Sequence, residues 1–139
     1  MINAALEKLV RDRAANHCEY CRMPQRFSRW EFALDHIIAQ QHRGTDAPDN
    51  LALCCGFCNR HKGPNIAGID PLTGRLSRLF NPRRDKWSKH FRFEGIIITG
   101  LTAPGRTTIE VLAMNDDVQL ARRGALIEEG IFHLPPATQ

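Results

Sequence analysis

Apolar positions along this 139-residue chain recur at short intervals rather than in long blocks. From Asn3 to about Asn16, Leu6, Leu9 and Val10 repeat at helical spacing, with Asn3 placed to cap the helix. Cys18-Glu19-Tyr20-Cys21 and the following Arg22-Met23-Pro24 read as a tight knuckle and a loop. Trp30 to Ile38 is rich in aromatic and β-branched residues and predicts a strand. Loop chemistry fills Gln40 to Asn50, and Leu51 to Cys55 is a short apolar run. Phe57 to Lys62 starts a helix that Gly63-Pro64 bends or ends. Turn clusters follow at Ile69 to Gly74 and at Asn81-Pro82. His90-Phe91-Arg92-Phe93 and Ile96 to Thr99 flank a turn at Glu94-Gly95 and predict a hairpin. Helices are expected over 106–114 and about 118–129, the second with an apolar stripe of Leu120, Leu126 and Ile127. The tail Leu134-Pro135-Pro136-Ala137 is expected to fray. The pattern predicts an α+β chain forming one domain over 1–139, with a core at about 16–92 and a C-terminal hairpin and helices at about 90–130.

Composition adds exclusions. Apolar residues make up 42% and, with glycine, reach an ordinary globular share. No apolar run approaches the ~20 residues of a membrane span. The N-terminus, with Glu7-Lys8 and Arg11-Asp12-Arg13 close behind, does not resemble a secretory signal, so a cytoplasmic location is expected. Trp30, Trp87 and the phenylalanines are expected in the core of so small a domain, stacking on bases being the other use for them.

Charge is distributed unevenly. Between Arg60 and Arg92, nine basic residues face only Asp70 and Asp85, a net +7, while the rest of the chain carries −3 of the total +4. A basic middle between neutral-to-acidic ends suggests a polyanion-facing surface. A solvated surface with counterions explains it equally well.

Four of the five cysteines fall in two pairs, Cys18-x-x-Cys21 and Cys55-x-x-Cys58, with 33 residues between Cys21 and Cys55. Each C-x-x-C turn points two thiolates at one spot, and two such turns make a tetrahedral sulfur cage suited to structural Zn²⁺. Cys54 is the spare, a small buried hydrophobe by its simplest reading. A closed four-sulfur site does no chemistry, so any catalysis belongs between the pairs or just beyond the second. There lie Asp35-His36-Ile37, Asn50-Leu51 and Asn59-Arg60-His61-Lys62. Individually these are ordinary residues. Together, a carboxylate, an imidazole and two amides beside a basic segment are the parts for phosphodiester hydrolysis assisted by Mg²⁺ or Mn²⁺.

The ordered set Cys18-x-x-Cys21, Asp35-His36-Ile37, Asn50-Leu51, Cys55-x-x-Cys58-Asn59-x-x-Lys62 resembles the zinc-stapled branch of the HNH endonucleases. The later Leu79-Phe80-Asn81-Pro82-Arg83 and Trp87-Ser88-Lys89-His90-Phe91 resemble a small bacterial subgroup. The resemblance implies a ββα-metal (His-Me finger) core stapled by the four-cysteine zinc site, with an N-terminal helix and a C-terminal hairpin plus helices. It implies His36 as general base, Asp35 and Asn59 as ligands of the catalytic divalent ion, and Asn50 as the brace that orients His36. Arg43, Arg60, Lys62, Arg83, Arg84 and Lys89 are the expected contacts to DNA phosphates, RNA being the less favoured partner. Two departures stand out. Asn59 occupies the position where many members carry His, giving an H-N-N pattern. The loop from Ile38 to Gly44 lacks their proline or Gly-Gly pair. His61 lies about 200° from Asn59 on a helix and is expected at the surface. Adjacent strand residues point to opposite faces, so Asp35 and His36 share a site only if the strand ends, twists or bulges there. The competing readings are a zinc-stapled nucleic-acid-binding module that does not cut, and a structural zinc domain that binds protein.

Overall fold

A computed structural model of the chain describes residues 1–132, and the Pro-rich tail at 134–137 lies outside them. The chain divides into two compact units, Met1–Ile66 with Asn81–Arg84, and Ala67–Phe80 with the chain from Asp85.

In the first unit, helix α1 (Ala4–Arg13) starts where Asn3 accepts a hydrogen bond from the Leu6 amide. Val10 is its fully buried residue, whereas Leu9 is 47% exposed. The helix is tied down by arginines. Arg13 donates to the carbonyls of Pro48 (3.0 Å) and Leu51 (2.7 Å), and Arg11 to that of Phe32 (2.9 Å). Strand β1 (Ala33–His36) pairs antiparallel with β2 (Leu51–Cys54), His36 opposite Leu51 and Asp35 opposite Ala52. Every residue of β2 is buried, so it forms the floor of the unit. Helix α2 (Gly56–Lys62) follows immediately, with Cys55 as its N-cap, and ends at Gly63, whose φ is +49°. The Gly63-Pro64 break thus stops the helix rather than bending it.

The second unit is built on an aromatic cluster. It contains hairpin β3–β4 (Ala67–Ile69, Leu76–Arg78), a single helical turn α3 (Trp87–His90), hairpin β5–β6 (Phe91–Glu94, Ile97–Gly100), α4 (Ala103–Val111) and α5 (Asp117–Glu128). Phe91 packs 5.1 Å from both Phe80 and Trp87, and Trp87 lies 5.2 Å from Phe93. Thr102 caps α4 by accepting from the Gly105 amide at 3.1 Å. The turn cluster expected at Ile69 to Gly74 is the tip of the β3–β4 hairpin. Its strands, three residues each, are too short to register as a period.

The apolar stripe expected on the last helix takes a different form. Gln119 and Arg123 are its fully buried residues, 1% and 0% exposed. Arg123 donates to the carbonyls of Met114 (2.8 Å) and Ile96 and lies over the Phe93 ring. It satisfies main-chain acceptors that an apolar side chain would leave unpaired.

Candidate active site and metal centre

The first knuckle, Cys18 to Cys21, docks on β2 through Glu19. Its backbone N–H donates to Leu53 O (2.8 Å) and its carboxylate accepts from Leu53 N (2.8 Å). Glu19 also pairs with Arg83. The second knuckle opens directly from the end of β2. All four sulfurs of Cys18, Cys21, Cys55 and Cys58 lie within 4.8 Å of one another, and all four residues are buried. The 3.7 Å between the sulfurs of Cys21 and Cys55 is close to the ~3.8 Å edge of a tetrahedron with Zn–S bonds of ~2.3 Å. In each knuckle the second cysteine's amide points at the first cysteine's sulfur, 3.5 Å in one and 3.4 Å in the other. These N–H groups stabilise thiolate. Cys54 is buried but stands outside the cage, so the register falls on Cys55. The set fits a structural zinc ion by donor type, burial and spacing.

β1 is regular where Asp35 and His36 stand, so the two side chains part to opposite faces. The structure does not bring them together. Asp35 turns inward and is 5% exposed. Its Oδ2 accepts from the Tyr20 hydroxyl at 2.8 Å, and its Oδ1 meets Lys62 Nζ at 3.2 Å. Burial pushes the Asp35 carboxyl above its usual range, against the opposing pull of Lys62 and Tyr20. Burial and the neighbouring Asp35 charge likewise raise the Tyr20 phenol far upward, so it stays a donor. Lys62 is 1% exposed and also donates to the carbonyls of His36 (3.1 Å) and Ile37 (3.3 Å). Three oxygens around a buried ammonium leave it no reach to a phosphate. The expectation of a DNA contact at Lys62 gives way to a role inside the fold: it locks α2 to the end of β1.

His36 turns outward, with 21% of its side chain exposed, and its Nε2 lies 2.8 Å from Asp46 Oδ1. The other Asp46 oxygen meets the Met1 ammonium at 2.8 Å. The ammonium first, and then His36, hold the Asp46 carboxyl below its usual range. An ionised carboxylate only accepts, so His36 Nε2 carries the proton of this contact.

Asn50 ties the ends of the intervening loop. Its Oδ1 accepts from Ile38 N (2.8 Å), and its Nδ2 donates to Ile38 O (3.0 Å) and Thr45 O (2.8 Å). Gly44 is required there, because a Cβ would run into the Ile38 carbonyl. Arg43, immediately before it, takes a left-handed conformation with φ +71°, unusual for a non-glycine residue. Asn59 is half-buried on α2, and its side-chain amide has no hydrogen-bond partner among the described residues. His61 donates through Nδ1 to Phe57 O (2.9 Å) and stacks on the Phe57 ring at 4.2 Å, at the surface.

The basic window is less open than its net charge suggests. Arg78 pairs with Asp85, Arg83 with Glu19, Arg92 with Glu94, and Arg106 beyond it with Asp70. Arg43, Arg60, Arg84 and Lys89 remain exposed, with no ion pair among the described residues. Sequence reasoning passed over Asp46 and Glu19. An aspartate among loop residues and a glutamate inside a knuckle carry no pattern of their own.

A buried four-sulfur cage stapling a hairpin and a helix defines a small metal-stapled α/β domain. Residues 18–65 match the family model described as HNH endonuclease, and the four cysteines within that stretch are placed to hold a metal ion, as in a zinc-stapled branch of that family. The match covers the knuckles, β1, the Asn50 loop, β2 and α2. No curated protein and no solved structure matches the chain. Among the described residues no helix is long and apolar enough to cross a membrane.

Proposed function

We propose that the first unit is a metal-dependent endonuclease that hydrolyses phosphodiester bonds in DNA, with His36 as general base. The observation that carries this reading is the His36–Asp46 pair. An imidazole held through Nε2 by a carboxylate and partly open to solvent is oriented to take a proton from water through Nδ1. The order β1, braced loop, β2, α2 supports a ββα-metal (His-Me finger) core. Asn50 holds the loop that carries Asp46 toward His36. Arg43, Arg60 and Arg84 are exposed and suited to phosphates, as is Lys89.

A Mg²⁺ or Mn²⁺ ion, when bound, would polarise the scissile phosphate and stabilise the departing 3′ oxygen, leaving a 5′ phosphate on the product. The residues present fit such an ion in part. Asn59 offers an amide oxygen that has no partner among the described residues. Asp35 can serve as the second ligand only if the Lys62 ammonium gives up its place. That engagement favours a second reading, a zinc-stapled module that binds nucleic acid without cutting it. Plasmid nicking separates the two, using wild type and His36→Ala with and without added Mg²⁺ or Mn²⁺. Metal-dependent nicking lost in the variant is expected. A folded, zinc-loaded wild type that cuts no supercoiled, single-stranded or branched DNA would sink the nuclease reading.

A further inference from the structure

The chain has two tryptophans, and they are used in opposite ways. Trp87 is 8% exposed within the aromatic cluster of the second unit, while Trp30 is 76% exposed in the first. Leaving an indole in water gives up one of the largest apolar burials any side chain can make. The backbone that presents it is nevertheless fixed. Gln25 donates to Trp30 O (3.0 Å) and accepts from Phe32 N (2.6 Å). The Ser28 hydroxyl donates to Trp30 O (2.9 Å) and accepts from Trp30 N (3.2 Å). The loop is therefore held on both sides of a side chain that it does not bury.

The surroundings are basic. Between Arg22 and Phe32 there are three arginines against Glu31 alone, and Arg26 and Arg29 are exposed. Trp30 and His36 are six positions apart in sequence, so the chain keeps them within ~20 Å of each other.

We propose that Trp30, flanked by Arg26 and Arg29, is a stacking platform for unpaired nucleobases, and that the substrate is DNA with single-stranded bases near the cut rather than intact duplex. The inference rests on the reading of this unit as a nucleic-acid enzyme. An exposed aromatic beside arginines binds base faces with little regard to sequence. Paired, stacked bases hide those faces, so only single-stranded or extruded bases can use the platform. A fixed backbone lowers the ordering cost of binding. An apolar protein partner could also cover an indole, but the arginines select a polyanion.

The test uses the full zinc-loaded chain carrying His36→Ala, without added Mg²⁺ or Mn²⁺, so that nothing is cut. Because Trp87 is buried, fluorescence quenching on titration reports mainly Trp30. Oligo(dT) of about 20 nucleotides, longer than the ~4–16 that one ssDNA-binding fold covers, is compared with a blunt duplex of equal length. Quenching is expected with oligo(dT) and much less with duplex. Trp30→Ala should weaken oligo(dT) binding about 5- to 150-fold, the range for losing one stacked base, and Trp30→Phe should restore most of it. Both substitutions are at an exposed position and leave the core untouched. Equal binding of oligo(dT) by Trp30→Ala and its parent overturns the proposal, as does equal quenching by duplex, or binding with no quenching. Failure of the nuclease reading shows separately: oligo(dT) stacking at Trp30 by a chain whose wild type never nicks leaves this inference standing and removes the other.

Discussion

The Nζ of Lys62 lies 3.2 Å from Oδ1 of Asp35, and neither side chain reaches solvent by more than 5%. Through Tyr20 the same carboxylate also reaches the first zinc knuckle, so knuckle, strand and helix meet at one buried charge pair. Deleting one partner strands the other charge in the core. Lys62→Met and Asp35→Asn should each destabilise the unit by about 3–5 kcal/mol, and the double variant should cost less than the sum. Urea denaturation of the zinc-loaded proteins measures this. Additive costs would show that the two groups are not coupled. Mn²⁺ titration of Lys62→Met then addresses the catalytic ion: tighter binding than wild type is expected if the ammonium competes with metal for Asp35.

His36 and Asp46 give a second prediction. His36→Ala should abolish cutting while leaving the fold and DNA binding intact, because the ring is partly exposed and holds no structural element. Asp46→Ala should lower kcat by a factor within the ~10²–10⁴ that a general base contributes, with KM little changed. Circular dichroism and single-turnover rates report the two effects separately. A large rise in KM with kcat preserved would assign Asp46 to substrate binding instead.

The zinc cage predicts a folding phenotype rather than a catalytic one. Structural zinc contributes an apparent ~10–16 kcal/mol in small domains, comparable to or above the ~5–15 kcal/mol by which whole domains are stable. Cys58→Ser, or prolonged chelation, should unfold the first unit and release about one zinc per chain. Cys54→Ser should keep the metal, since Cys54 lies outside the cage. Metal analysis of the two purified variants decides it, and loss of zinc from Cys54→Ser would move the ligand register by one residue.

These geometries show where sequence pattern carries structure and where it does not. The C-x-x-C pairs are local, and each closes a turn whatever surrounds it, so the metal centre is legible in full. The cap at Asn3 follows similarly local chemistry, whereas α4 starts at a Thr102 cap ahead of the helix expected at 106. The facing of Asp35 and His36 depends on strand register, which no composition of the loop reveals. Lys62 resembles a surface lysine because its three oxygen partners lie about 25 residues away in sequence. Arg123 is hidden in another way: its acceptors are the carbonyls of Ile96 and Met114 and the Asn115 side-chain oxygen, which no helical period marks. The buried or exposed state of the two tryptophans follows from packing alone.

Arg43 offers a separation of stability from binding. Its φ of +71° strains an L-residue by roughly 1–2 kcal/mol, while glycine adopts it freely at some cost in unfolded-chain entropy. Arg43→Gly should therefore be neutral or stabilising by up to ~1 kcal/mol in thermal unfolding. DNA binding of the same variant should fall, with a salt dependence shallower by about one phosphate contact. Unchanged affinity and salt slope would remove Arg43 from the phosphate-binding set.

Asp70 supplies the pH prediction. Arg106 grips it with Nε and Nη2, both at 2.9 Å, and the Leu72 amide and Thr73 hydroxyl, each at 3.0 Å, complete its shell. The Arg106 guanidinium holds this carboxyl far below the ordinary carboxylate range, against the penalty of its burial. A lowered folded-state value means that the unfolded chain takes up the proton first. The stabilisation is therefore whole at neutral pH, begins to fade as pH falls through about 4, and is lost on the way to the folded-state value. The β3–β4 hairpin, whose tip Asp70 closes, should loosen in that window. Asp70→Asn should be less stable than wild type at pH 7 and should show a smaller further loss between pH 5 and pH 2, in a range set by ordinary carboxylates. Hydrogen exchange at the Arg75 and Gly74 amides, read across that range, follows the hairpin directly. Identical acid profiles for Asp70→Asn and wild type would mean that other carboxylates govern the loss.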